Sequence, residues 1–499
     1  MIYPSIKTFK AFLLLAFLGV AQLGLAQEAI FSEKIGLPQF EGEVSFAKAQ
    51  DHFFLSFLES NYITVAQYDL AFNKTFEKRL TKEKESHVNF LDSYKSENSI
   101  TYIFSNNSRK KYLGLTYNFQ NDEVTEKTLD FKLEREKYLV NFSHKGKFYL
   151  LTQPNNTRKY KFYILDVDLN LETQIIDLDK SGFYKDGEKQ ETLPNRTIFA
   201  NGSVKDELLD YGSKRFRLEE IKRNTPNLNE AVTYNNKIYV RDSKLLITLD
   251  SNKEHTVLIE INLKDSNSII KQIPKLDFGE NLSSTKTNSF ILDDLLFLLK
   301  GDKKRVFVKL LDLKTNETKN VFSFHRNSPY LKERNALLNQ NVVSKYNIDM
   351  RPSEGSSAES VQKRLQKIMK GGNQVGLRVL DSDQSFLLML GGYKMTTSGP
   401  AMMPGGFGAA GGITMSFAFG NYTFVRDESL FFYLDKTNFD LDLSDFEDPY
   451  QQMEDYLNDH YVDKAHKKIG WKTKFQIDSD YYLGYLDRKE NIYYIRKFK

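Results

Sequence analysis

No cysteine occurs anywhere in the sequence. That excludes disulfide staples, thiol nucleophiles, zinc–thiolate sites and iron–sulfur clusters, and it removes the residue to which a lipid anchor would be attached beside a cleavage site. Tryptophan occurs once, so no repeat built on a Trp-Asp strand end is present. Neither sign of charge dominates: 70 Lys and Arg stand against 66 Asp and Glu, a formal net charge of +4. So balanced a chain gives nucleic acid no electrostatic foothold. Beyond the N-terminal segment no apolar run approaches the about 20 residues that a membrane-spanning helix needs. There is no Gly-x-Ser-x-Gly elbow, no His-Glu-x-x-His and no Gly-Lys-Ser/Thr phosphate loop.

What is present begins with an export signal. Lys7 and Lys10 precede an apolar stretch at 11–21, and Gly24 and Ala26 supply the small residues before a cleavage point between Ala26 and Gln27. Losing those two lysines lowers the net charge from +4 to +2. The expected destination is the periplasm or the cell exterior, without a lipid anchor. The bias toward Asn, Lys, Phe and Tyr points to a bacterial source.

The body of the chain is a series of short strands rich in Tyr, Phe, Ile, Leu and Val, closed by polar turns, as at 62–68, 111–117, 160–167, 256–261, 305–311 and 430–434. These strands end alike, on Asp69, Asn118, Asp168, Asn262, Asp312, Asp435 and Asp487. The first three anchors are 49 and 50 residues apart, and Asn262 and Asp312 are again 50 apart. The 94-residue step from Asp168 to Asn262 is close to two periods, with Asp210 as a degenerate anchor inside it. The 123-residue step from Asp312 to Asp435 is a period or two plus an insertion. A short side chain that accepts backbone hydrogen bonds in a hairpin turn explains the anchors without any catalytic role.

A period of 40 to 50 residues with about four strands resembles the blades of β-propeller repeat proteins. The resemblance is to the architecture of exported propeller-like proteins, since no named family's motif recurs. It implies an all-β fold, a seven- or eight-bladed β-propeller with a helical and Gly-rich insertion in a late blade. Two β-sandwich domains are the competing arrangement. The organisation expected is a signal peptide at 1–26, repeats at 27–330, a late blade with insertions at 331–470, and closing strands at 471–499. The strands at 481–486 and 491–496 are expected to pair with a first strand near 40–46.

Two helices are expected in the late blade. One covers 357–370, with Ser356 and Glu359 as a capping box, Val361, Leu365 and Met369 on one face, and Gly371 and Gly372 as the stop. The other is acidic and covers 446–461, with Pro449 in its first turn. Both read as surface padding of an enlarged loop.

The most unusual stretch is 395–425, which has no charged residue and centres on Gly-Pro-Ala-Met-Met-Pro-Gly-Gly-Phe-Gly-Ala-Ala-Gly-Gly. Glycine at that density costs too much backbone entropy for a regular element, so the stretch reads as an oversized hairpin loop. Its Met395, Met402, Met403, Phe407, Met415 and Phe417 offer adaptable apolar contact to a protein partner. Folding back over the body is the competing reading, and a membrane surface is a weaker one. Gly406-Phe-Gly408-Ala-Ala-Gly411 matches a dinucleotide fingerprint in letters only, because Pro404 precedes it and a β-like run follows. Asp166, Asp168 and Asn170 start like a calcium loop, but Leu171 and Asp177 stand where Gly and Glu belong. His460, Asp463 and His466 match no metal-binding spacing. No cofactor and no metal are expected.

The function these features favour is a non-catalytic, protein-binding or scaffold subunit, as an accessory of an outer-membrane assembly. The alternative is an extracellular hydrolase of glycans or peptides with its site in the propeller funnel. A carboxylate pair assembled in space leaves no motif, so enzyme activity stays open.

Overall fold

A computed structural model describes residues 29–34, 43–49, 51–59, 61–82, 89–194, 196–198, 204–206, 218–222, 229–277, 285–325, 338–343, 348–350, 358–372, 374–381, 385–398, 422–442, 449–450, 452–453, 456–457, 469–478 and 480–498. The signal at 1–26 and Asp210 lie outside them.

Strands form where side chains are apolar on both faces. Ser99–Ser105 is buried at every position, as is most of Tyr112–Asn118, whereas the next strand, Glu123–Leu129, is mostly exposed. This gradient recurs in Lys74–Thr81 and Leu171–Asp177, so the first three sheets have buried middle strands and a solvated outer strand. Among the described residues seven sheets of four or more strands follow one another along the chain, antiparallel except for two parallel edge pairings in the fourth. Sheet 1 is built on Glu43–Lys48, sheet 2 on Asn89–Lys95, sheet 3 on Glu136–His144, sheet 4 on Asn236–Arg241, sheet 5 on Lys286–Leu292, sheet 6 on Gln374–Asp381 and sheet 7 on Ile469–Ile477. These first strands touch those of neighbouring sheets (1 with 2, 2 with 3, 5 with 6, 7 with 1). The end at which they begin is called the upper end.

Apolar contact joins the sheets in chain order and then joins the last to the first. Separate core clusters link sheets 7 and 1, 1 and 2, 2 and 3, and 3 and 4, while one large cluster runs through sheets 4 to 7. Aromatic pairs mark several seams: Phe46 stacks on Phe475 at 4.3 Å, Phe131 on Tyr163 at 4.9 Å and Phe324 on Phe432 at 4.3 Å. The chain closes on itself through Ala29–Lys34, which pairs with Ile492–Phe498. The expected partner near 40–46 is corrected by this: Glu43–Lys48 is already committed as the first strand of sheet 1, and the closing strand lies earlier.

The seven anchor turns obey one rule. Asp69, Asn118, Asn262, Asp312, Asp435 and Asp487 each accept backbone N–H groups two to four residues ahead. In sheet 3 the acceptor is Asp166 rather than Asp168: its Oδ1 takes the N–H groups of Asp168 and Asn170, both at 2.9 Å. Each turn then carries one left-handed residue, Phe72, Asp122, Leu169, Ser266, Asn316, Phe439 or Asn491. With Asp166 so engaged, the calcium-like spelling of this loop is a turn motif. The 94-residue step is likewise corrected. Among the described residues it holds one sheet plus an insertion, in which Gly182–Lys185 and Glu188–Gln190 extend the outer edge of sheet 4.

The helix α1, Asn229–Thr233, follows the second part of that insertion and packs on the strands Gln374–Asp381 and Ser385–Ser398 of sheet 6. Its backbone lies so close that a Cβ on Gly376 would meet Val232 O at 2.6 Å. Gly376→Ala is therefore expected to cost about 1–3 kcal/mol by overpacking, read as a lower denaturation midpoint. A midpoint equal to wild type would show that α1 yields freely.

The helix α2, Ala358–Ile368, forms where the apolar spacing expects it. It is more than surface padding: Leu365, Ile368 and Met369 are buried in the core of sheets 5 and 6. Gly392, on the strand Ser385–Ser398, leaves room for the Ile368 backbone, which a Cβ there would approach to 3.0 Å. Of the acidic stretch at 446–461, the described residues are helical, and Tyr450, Met453, Tyr456 and Leu457 are buried.

Candidate axial site

The inner edge of sheet 4 does not end at its first strand. Glu219–Glu220 adds to it in parallel, Glu219 opposite Lys237 and Glu220 opposite Ile238, and the Ile221 N–H donates to Ile238 O at 2.9 Å. This short strand also touches the first strand of sheet 3. Leu218 and Ile221 are buried, one in the core of sheets 3 and 4, the other in that of sheets 4 to 7. Residues 218–222 thus lie between the first strands of sheets 3 and 4, held by two apolar anchors.

The same segment gathers charge. The Lys222 ammonium lies 3.5 Å from Glu220 Oε2 and 3.9 Å from Asp92 Oδ1. Asp92 sits in the first strand of sheet 2, beside a register shift between Phe90 and Asp92 that re-aims its side chain. Its Oδ2 is buried and has no hydrogen-bond partner among the described residues. Glu43, the first residue of sheet 1, is the third carboxylate of the set. Burial, reinforced by the Asp92 charge, raises the Glu43 carboxyl above the usual range. Burial pushes Glu220 up to about 7 against the pull of Lys222, with Asp92 adding to the rise. The Asp92 charge, followed by that of Glu220, holds the Lys222 ammonium above its ordinary value.

The sign of the Glu220 shift sets a pH dependence. Between about 4.5 and 7 the folded state binds the Glu220 proton more tightly than the unfolded chain does, so this group's contribution to stability falls as pH rises. Glu220→Gln is expected to flatten that slope, seen by comparing thermal melts of wild type and variant at pH 5 and 7.5. Parallel slopes in the two proteins would remove the assignment.

Below the charged set lies a cavity of about 880 Å³. Ile221 and Lys222 form one wall, and Tyr239, Val240, Phe290 and Leu380 are among the apolar residues around it. Its lower rim carries ion pairs, Arg241 with Asp293 at 3.4 Å, Lys271 with Glu260 at 2.5 Å and Lys314 with Asp294 at 2.5 Å. The rim is thereby neutralised from within. At the axial set one ammonium, Lys222, lies against Glu220 and faces Asp92, with Glu43 as a third carboxylate nearby.

A second polar set lies between sheets 4 and 5. Asp250 accepts from Thr256 at 2.7 Å and from Ser289 at 2.5 Å, with Lys275 at 3.3 Å and Lys237 at 4.0 Å. All three charged side chains are fully buried. Its donors and acceptors are matched, so it reads as structure rather than as a site.

The sequence singles out other residues. Met395 lies on the strand Ser385–Ser398 opposite Val425. That strand and Tyr422–Asp435 are longer than expected and pair as far as Ser398 and Tyr422, bracketing 399–421. Met402, Met403, Phe407, Met415 and Phe417 lie outside the described residues, as do His460, Asp463 and His466. The axial carboxylates match no sequence motif, and they leave one signal. Glu43, Asp92 and Asn141 are spaced by 49 residues, one period, in the first strands of three consecutive sheets. Asn141 donates to Leu91 O at 3.0 Å, joining sheets 2 and 3 next to Asp92.

No family model matches the chain, and no curated protein matches it. Among solved structures it is similar to Synechocystis apocarotenoid oxygenase, at 8% identity and a TM-score of 0.29 over 57% of this chain and 61% of that one. A chimera of that enzyme with RPE65 gives 9% identity and a TM-score of 0.26, covering 56% and 57%. A prolyl endopeptidase gives 8% and 0.27, covering 69% of this chain and 38% of that one. The chain spans less than two thirds of the length of these proteins, and likeness at this level carries no argument about function.

Proposed function

We propose that the seven sheets are the blades of one seven-bladed β-propeller, exported by the signal at 1–26, and that the protein is a non-catalytic binding subunit of the cell envelope with its binding site at the axis. The cyclic order of core contacts supports the propeller, as does the closing strand Ala29–Lys34. One observation carries the binding role: the axial cavity adjoins carboxylates whose nearest cation is the chain's own Lys222. A catalytic carboxylate pair needs free approach to substrate, whereas this one is already bridged. A protein partner is the expected ligand.

The test cross-links wild type, Ser243→Trp and a deletion of 399–421 in the native envelope, then compares recovered partners. Ser243 lines the cavity, and the indole would fill its mouth. Loss of a partner in Ser243→Trp alone supports the axial site. Loss only in the deletion transfers binding to the segment of Met402, Met403, Phe407, Met415 and Phe417. Equal recovery from all three ends the proposal.

A hydrolase is the second reading, favoured by Glu220 near 7 beside Asp92, a pairing suited to general acid–base work. It requires turnover of chromogenic glycosides or peptide anilides that Glu220→Gln abolishes, and a wild type without turnover removes it.

A further inference from the structure

We infer that residues 218–222 are a built-in stand-in for the ligand, and that the ligand itself is an extended peptide bearing an apolar residue followed by a lysine or arginine. This rests on the axial binding site proposed above and specifies what the site takes. The segment does what a peptide does when it adds a strand to an open sheet edge: backbone pairing holds it, and alternate side chains fill pockets. Here the pairing is with Lys237 and Ile238, Leu218 and Ile221 fill the apolar seams, and Lys222 reaches the carboxylates. The inner edge then runs on, unpaired among the described residues, past Val240 and Arg241 along the cavity wall.

Charge complementarity argues that this occupant is a poor one. It brings Glu220 into a place that already holds Glu43 and Asp92, with Lys222 in return. The Asp92 Oδ2 is left without a donor. A peptide with neutral residues in place of the two glutamates removes the Glu220 charge from beside Asp92 and keeps the cation. Such a peptide has a reason to displace the chain's own strand, despite the advantage that tethering gives the latter.

Three labelled peptides test this on the full chain: Arg-Leu-Glu-Glu-Ile-Lys-Arg, which is residues 217–223, the same with both Glu replaced by Gln, and that Gln peptide with its Lys also replaced by Gln. Fluorescence anisotropy is expected to show the Gln–Lys peptide binding at least about tenfold tighter than either of the others, roughly 1.4 kcal/mol. Because the chain has no cysteine, Ile221→Cys reports displacement directly. Its thiol, buried in the resting strand, is expected to label faster once the Gln–Lys peptide saturates. Equal affinity for the three peptides overturns the inference, and so does a thiol that stays blocked at saturation. If no peptide binds wild type or Lys222→Glu while Ser243→Trp still loses a partner, the axial site stands and the peptide is wrong. If Ser243→Trp loses nothing and no peptide binds, both fall.

Discussion

Asp250→Ala is expected to destabilise the protein by about 3–5 kcal/mol, the usual cost of stripping the counter-charge from a buried ion set. Two ammonium groups, Lys237 and Lys275, are fully buried around this one carboxylate. Burial alone would raise the Asp250 carboxyl, but Lys275, then Lys237 and the hydroxyls of Ser289 and Thr256, hold it below its ordinary value. Burial lowers Lys237 to about 8 even with Asp250 in place. Without the carboxylate both lysines lose their counter-ion, and the hydroxyls of Thr256 and Ser289 lose their acceptor. Lys237→Met is the informative contrast. It leaves Asp250 and Lys275 as a balanced pair and orphans only acceptors on Asn288 and Ser289, so its loss is expected to be clearly smaller. Urea denaturation of the two variants decides it. If Asp250→Ala loses less than Lys237→Met, the carboxylate is not the keystone of this seam.

The contrast between this seam and the turn anchors shows what a sequence displays. The anchors are local: Asp312 receives the N–H groups of Lys314 and Thr315 within three residues, so their spacing follows the sheets. Even the misplaced anchor failed for a local reason. Asp166-x-Asp168-x-Asn170 offers two carboxylates to one turn, and the left-handed residue settles at Leu169, three residues after Asp166 as Phe72 is after Asp69. Asp250, Lys237 and Lys275 meet only once two strands and a neighbouring sheet are in place. Each of them, alone in the sequence, looks like an ordinary surface charge at a strand end. The axial set is harder still, because Lys222 and Glu220 belong to an insertion that breaks the period. Only the Glu43, Asp92 and Asn141 spacing is open to view in the sequence, and it repeats the period that the turn anchors already show.

Removing the closing strand is expected to have the other large effect. A chain starting after Lys34 would lose the five pairs from Ala29 to Lys34 on Ile492–Phe498. It would also lose a bridge between the two ends of the chain. Phe31 sits edge-on to Tyr68 of sheet 1 at 5.0 Å, and Glu33 accepts the Tyr68 hydroxyl at 2.5 Å and pairs with Lys74. Tyr68 is fully buried, so its orphaned hydroxyl costs about 1–3 kcal/mol. Loss of the half-buried Phe31 ring adds a further increment of about 1–2 kcal/mol. The exposed edge matters as much, since Ile492–Phe498 reads Ile-Tyr-Tyr-Ile-Arg-Lys-Phe. A strand of that composition with unpaired N–H and C=O groups is a template for another chain. The truncated protein is expected to melt earlier and to form dimers or larger species in light scattering. A synthetic Ala-Ile-Phe-Ser-Glu-Lys peptide, the sequence of the missing strand, should restore part of both properties in trans. A truncated chain that stays monomeric at the wild-type melting temperature would mean that sheets 1 and 7 hold together through Phe46, Phe475 and Trp471 alone, and that the first strand is ornament rather than closure.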